Sequence, residues 1–158
     1  MIFHNKTYWL LIIFIIVYFG CSRKNGSDTN NTDSIVLNES VAAEASVVVK
    51  DFISKYKNSF NIKNSNEIIN LYVSNPSKSL ESAEALTELF VSSDTASIFF
   101  SNIKINFFDI KRSEFEALVE TNISLGGKKI IEKKIVSFVL LAEKNAYLLA
   151  DKKTQKIL

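Results

Sequence analysis

Near residue 95 the hydrophobic pattern of this chain changes period, and no other feature limits its fold as strongly. Before that point apolar residues recur at helical spacing. Val41, Ala45, Val48, Val49, Phe52, Ile53, Tyr56 and Phe60 repeat the i, i+4, i+7, i+8 steps of a one-sided helix over about five turns. Asn64 with Glu67 three residues on forms a capping-box-like start, so a second helix is expected through Ile68, Leu71 and Tyr72, ending before Pro76. A third is expected from Ser79, with Leu80, Ala83, Leu86 and Phe90 on one side. After the change the period is 2. Ile103, Ile105 and Phe107 alternate, and Phe115, Ala117, Val119, Thr121, Ile123 and Leu125 face one way while Glu114, Glu116, Glu120, Asn122 and Ser124 face the other. Gly126 and Gly127 supply the positive φ angles of a primed hairpin turn. The return strand carries Val136, Phe138 and Leu140 in alternation, and a turn at Lys144 and Asn145 leads to a last strand. Helices first and an antiparallel meander second predict an α+β domain, with the helices on one face of a curved four-stranded sheet.

The amino-terminal segment follows different rules. Tyr8 to Gly20 runs without a charge but is shorter than the roughly 20 residues of a membrane-spanning helix, and so reads as the core of a secretory signal. Gly20 directly before Cys21 resembles the lipobox of bacterial lipoproteins, although Tyr18 and Phe19 depart from its usual residues. That resemblance implies a lipid on the Cys21 sulfur and cleavage before it. Cys21 is the only cysteine, so a disulfide within the chain is excluded. The polar segment after it, rich in Ser, Asn, Thr and Asp, cannot offset its own ordering entropy. The expected organisation is a signal over residues 1–20, a lipidated flexible tether over 21–38 and one domain over 39–158. The expected location is the outer side of a membrane in a bacterial cell envelope, held through Cys21 to membrane lipid.

Residue inventory removes several chemistries. The single histidine, His4, lies in the signal, so Ser–His and Cys–His nucleophilic mechanisms have no base in residues 39–158. Zinc or haem ligation by histidine or thiolate fails for the same reason. No phosphate-cradling glycine loop exists, and no cofactor or metal is expected. Removal of Lys6 with the signal lowers Lys plus Arg from 19 to 18 against 17 acidic residues, a balance that argues against a nucleic-acid surface.

The stretch "VVVKDFISKYKNSFNIKNSNEIINLYVSNP", then "EALTELF", then three long strands and a final one, resembles the nuclear transport factor 2-like superfamily, also called SnoaL-like or cystatin-like. The resemblance covers about residues 41–152 and implies a sheet wrapped around the first helix as a cone, with Tyr147 at a position where members often carry an aromatic. Superfamily enzymes use acids lining the cone with tyrosines or an arginine as partners. Asp109, in phase with Ile103, Ile105 and Phe107, would then point inward, and Tyr56 would donate into the same space. Thr121, Glu132 and Lys134 are further inward-phase polar groups. Phe52, Tyr56, Phe60, Phe107, Phe115 and Phe138 would line the cone as core or as an apolar pocket. From the missing histidine and cysteine, the expected function is a non-catalytic binding or assembly module whose partner is a protein or a small apolar ligand. The rival is a small isomerase- or hydrolase-like enzyme using Asp109 and Tyr56.

Overall fold

In the computed structural model, residues 39–158 are described; the expected signal and tether, with Cys21, lie outside them. Helix α1, Glu39–Asn61, follows the predicted stripe, with Ala45, Val49, Phe52, Tyr56 and Phe60 all buried. Helix α2, Ser65–Ile69, starts where Asn64 Oδ1 accepts from the Glu67 backbone N–H at 3.1 Å. It is shorter than the pattern suggests. Beyond Asn70 the backbone bonds tighten to i−3, as in Leu71 to Ile68 and Tyr72 to Ile69, and Tyr72 then pairs with the last strand. Helix α3, Ala83–Ser92, begins four residues later than expected, because Ser82 rather than Ser79 is the cap that accepts from the Ala85 N–H. No helix of the described residues is long and apolar enough to cross a membrane.

Strands β1 (Thr95–Phe108), β2 (Arg112–Leu125), β3 (Lys128–Glu143) and β4 (Ala146–Ile157) form one antiparallel sheet in sequence order. The turn between β2 and β3 uses Gly126 and Gly127 at φ 54° and 78°. That between β3 and β4 places Lys144 and Asn145 at φ 52° and 63°. In the β2–β3 ladder Phe115 lies opposite Phe138, and Ala117 opposite Val136. The face carrying these residues packs on α1, with Phe52 fully inside.

Two strands depart from strict alternation. In β1, Asn102 adopts φ 51° and the register shifts between Ser101 and Lys104, then again between Ile105 and Phe107. Phe107 therefore comes opposite outward-facing Glu114, and Phe108 takes the buried position opposite Ser113. The expectation that Phe107 lines the cone fails for this reason. In β4 a shift between Val139 and Leu140 of the partner strand sets Leu149 opposite Leu140 and Lys152 opposite Phe138. A spacing of three thus turns Lys152 toward the helices.

Candidate active site

Tyr56 projects from the buried side of α1, 3 % exposed, between the rings of Phe52, Phe60 and Phe100. A hydroxyl at such a depth needs a partner. The Tyr72 hydroxyl, on the residue that pairs with β4 just after α2, is a polar group near enough to act on it. The Tyr72 hydroxyl in turn donates to Glu81 Oε2 at 3.5 Å, the long limit of a hydrogen bond. Glu81 forms an ion pair with the ammonium of Lys152 on β4. The result is a chain Tyr56–Tyr72–Glu81–Lys152 that runs from the aromatic interior to the rim, where the Glu81 side chain is 40 % and that of Lys152 19 % exposed.

Burial pushes the Tyr56 hydroxyl far above the usual tyrosine range, and the negative charge of Glu81 adds to the effect. Tyr72 is raised as well, first by burial, then by Tyr56 and Glu81, with Lys152 opposing. Both hydroxyls therefore stay protonated at neutral pH. They can donate hydrogen bonds and cannot serve as bases. Glu81 is the carboxylate that faces them, and Lys152 is the compensating cation.

The segment 74–82, which carries Glu81, is tied to β4. The Ser77 N–H donates to Ala150 O at 3.0 Å, and the Ser77 hydroxyl to Asp151 Oδ1 at 2.6 Å. The Ser79 hydroxyl donates to the same oxygen. These bonds, that from Ser77 foremost, hold the Asp151 carboxyl below its ordinary range.

Asp109 stands elsewhere. Its Oδ1 accepts from the backbone N–H groups of Lys111 and Arg112, both at 2.7 Å, and the carboxylate is an exposed turn cap between β1 and β2. The Tyr147 hydroxyl donates to its carbonyl at 2.8 Å, and Tyr147 also feels the charge of Glu44 near the start of α1. Glu44 is twelve residues from Tyr56 on one helix, which is about 18 Å. The structure does not bring Asp109 and Tyr56 together. Thr121 pairs opposite Glu132, and Glu132 bonds Lys134 at 2.8 Å; these three share the Val119 face and are half-buried, away from the tyrosine partners. Phe52, Phe115 and Phe138 are buried in mutual ring contacts, and Phe60 is buried between the rings of Tyr56 and Phe90, so that these side chains fill the cone around Tyr56. A hollow of about 310 Å³ opens between α1 and α2, lined by Lys55, Asn58, Ser59, Glu67, Asn70 and Leu71. It is separate from the tyrosine chain. Among the described residues no group of three His, Cys, Asp or Glu side chains converges to hold a metal.

Sequence reasoning named Tyr56 and missed Tyr72, Glu81 and Lys152. Tyr72 carried only a helical position, Glu81 lay inside an expected helix, and Lys152 faces inward only through the β4 irregularity.

No protein-family model matches the sequence, and no curated protein matches it. Solved structures do match. A protein from Novosphingobium aromaticivorans described as a candidate scytalone dehydratase superposes with TM-score 0.58 at 10 % identity, over 75 % of this chain and 89 % of that one. A hexachlorocyclohexane dehydrochlorinase from Novosphingobium barchaimii gives TM-score 0.58 at 7 % identity, over 77 % and 93 %. A candidate aromatic ring hydroxylase, also from Novosphingobium aromaticivorans, gives TM-score 0.61 at 8 % identity, over 73 % and 93 %. Three helices on a four-stranded antiparallel sheet is thus the nuclear transport factor 2-like, SnoaL-like fold. Identities this low carry the fold and nothing finer. The neighbours nevertheless correct one expectation. The absence of histidine and cysteine suggests a non-catalytic module and disfavours an enzyme, whereas these three structures bear the names of enzymes.

Proposed function

We propose that the chain is a small proton-transfer enzyme, an isomerase or lyase of the SnoaL-like kind, acting on a small apolar molecule. The carrying observation is the Tyr72 hydroxyl donating to Glu81, with Tyr56 behind it and Lys152 beside it. Glu81 accepts a proton from a substrate carbon. Tyr72 donates a hydrogen bond to the oxygen or leaving group on which the electron pair settles, and Lys152 offsets the negative charge. The dehydratase and dehydrochlorinase names among the fold neighbours denote eliminations, which begin with the same proton removal and end with departure of a leaving group. Glu81 takes the role that the sequence reading gave to Asp109.

The same proposal places the domain at a bacterial envelope membrane, lipidated at Cys21 and tethered through residues 21–38. Two or three acyl chains, at about 0.8 kcal/mol per buried CH₂, hold a protein where one does not.

The test of the chemistry is turnover of unsaturated carbonyl and halogenated or hydroxylated apolar compounds by the full chain. Glu81→Gln should lower kcat by about 100-fold or more and Tyr72→Phe by about tenfold to 100-fold. Unchanged kcat in Glu81→Gln removes the proposal. For the anchor, Cys21→Ser should leave uncleaved, unlipidated precursor; normal processing and membrane retention of that variant would exclude lipidation.

A further inference from the structure

The tyrosine end of the chain Tyr56–Tyr72–Glu81–Lys152 is buried, and Glu81 at its rim belongs to a segment held mainly by polar contacts. Residues 74–82 have no helix or strand. Both ends of the segment are fixed. On one side Val73 N–H donates to Leu149 O at 3.0 Å and Leu149 N–H to Leu71 O at 2.7 Å. On the other, Ser82 caps α3. Between those points the attachments are almost all polar. The Ser74 N–H and hydroxyl both donate to Glu143 Oε2 at 3.0 Å. Ser77 and Ser79 share the Asp151 carboxylate, and the Lys152 N–H donates to Ser79 Oγ at 3.2 Å. Leu80 is the one side chain of the segment that packs, half-buried, against the hydrophobic core, while Asn75, Pro76 and Lys78 point to solvent.

Polar bonds near a surface are the first to open, because water replaces them at small cost, whereas the aromatic packing beneath holds at nearly the global stability. We propose that residues 74–82 form a strap, carrying Glu81, that lifts from β4 about its two fixed ends, with Asp151 as its latch; lifting admits substrate to Tyr72, and closing returns Glu81 to it. This rests on the proton-transfer reading of the same site. Lifting carries Leu80 away from the core and separates Glu81 from both Tyr72 and Lys152; closing over a bound molecule restores the arrangement in which the three act together. Asp151 touches neither tyrosine in this arrangement. It is a positioning residue that acts through Ser77 and Ser79.

Hydrogen exchange of the full chain in detergent micelles reads the strap directly. The amides of residues 74–82 should exchange at least about tenfold faster than those of residues 52–60 and 115–119. Asp151→Ala should speed the strap a further tenfold to 100-fold, roughly the loss of one charge-assisted hydrogen bond, and leave residues 52–60 unchanged. The double variant Ser77→Ala with Ser79→Ala should do the same while keeping the carboxylate. Strap amides as slow as the core, or acceleration of strap and core together in both variants, would overturn the proposal. Turnover separates it from the chemistry. Loss of kcat in Glu81→Gln with a core-like strap keeps the reaction and removes the strap. A fast, Asp151-dependent strap with kcat untouched by Glu81→Gln leaves a strap that opens on something other than this reaction, and overturns its role as a substrate gate.

Discussion

Phe115 and Phe138 stack with ring centroids 4.7 Å apart and planes 9° from parallel, directly opposite each other in the β2–β3 ladder. Phe52 of α1 meets both, at 6.1 Å and 6.4 Å. This three-ring contact is where helix and sheet are joined, and it fixes the depth at which Tyr56, one turn further along α1, enters the cone. The packing that stabilises the domain thereby sets the position of the proposed site.

Truncation of Phe115, which is 0 % exposed, should show the weight of that contact. Phe115→Ala removes a ring and leaves a cavity in a layer that the two remaining rings cannot close. A loss of about 3–5 kcal/mol is expected, measured by urea denaturation of the full chain. Phe115→Leu, closer in volume, should cost clearly less. Equal losses would mean that the layer tolerates collapse.

The tyrosines give a pH dependence with a definite sign. Burial raises both Tyr56 and Tyr72 above their unfolded value near 10, so the folded state keeps protons that the unfolded state releases. Stability is therefore constant below about pH 10 and falls above it, by up to about 1.4 kcal/mol per pH unit for each tyrosine. Absorbance at the tyrosinate band after a jump to high pH should rise with the unfolding rate for these two residues. Tyr56→Phe should reduce the slope of the alkaline limb by about half. Immediate ionisation of every tyrosine would show that the pair is open to water.

The helical stripe of α1, the alternation in β2 and the paired glycines were legible in the sequence because each depends on neighbours within a few residues. The site was not. Tyr72, Glu81 and Lys152 meet through a parallel bridge, an irregular segment and a register shift in β4, and none of these has a periodic signal. Asp109 misled for a related reason. Its apparent phase with Ile103 and Ile105 is broken by the left-handed Asn102 and a second slip before Phe107. What remained readable there was the local turn chemistry of an aspartate accepting from the two backbone N–H groups that follow.

Lys144 offers a gain in stability from backbone strain alone. It sits at φ 52° in the β3–β4 turn with an exposed side chain. A left-handed conformation costs an L-residue with a long side chain about 1–2 kcal/mol, and glycine avoids that cost. Lys144→Gly should stabilise by about 0.5–1 kcal/mol after the added flexibility of the unfolded chain is counted. A thermal melt higher by a few degrees is the expected readout. A lower melt would show that the Lys144 side chain makes a stabilising contact.

Two buried serines should respond to alanine with opposite signs. Ser113 is 0 % exposed on the inner face of β2, between Phe108 of β1 and Leu140 of β3, and its hydroxyl has no hydrogen-bond partner among the described residues. An unpaired hydroxyl in an apolar layer costs about 1–3 kcal/mol. Alanine removes the cost and leaves a void of only one oxygen, too small for water and lined by side chains that can shift toward it. Ser59 on α1 is also buried, but its hydroxyl lies 2.9 Å from Lys55 O and 3.0 Å from Glu67 Oε2, and its one proton is shared between these two acceptors. Alanine there leaves a carboxylate oxygen without its donor and loosens α2 from α1. Ser113→Ala should therefore stabilise by about 1 kcal/mol, and Ser59→Ala destabilise by about 1–2 kcal/mol. Both are read as shifts of the urea midpoint at constant slope. Destabilisation by Ser113→Ala would mean that the hydroxyl has a partner, such as an internal water, that repays its burial.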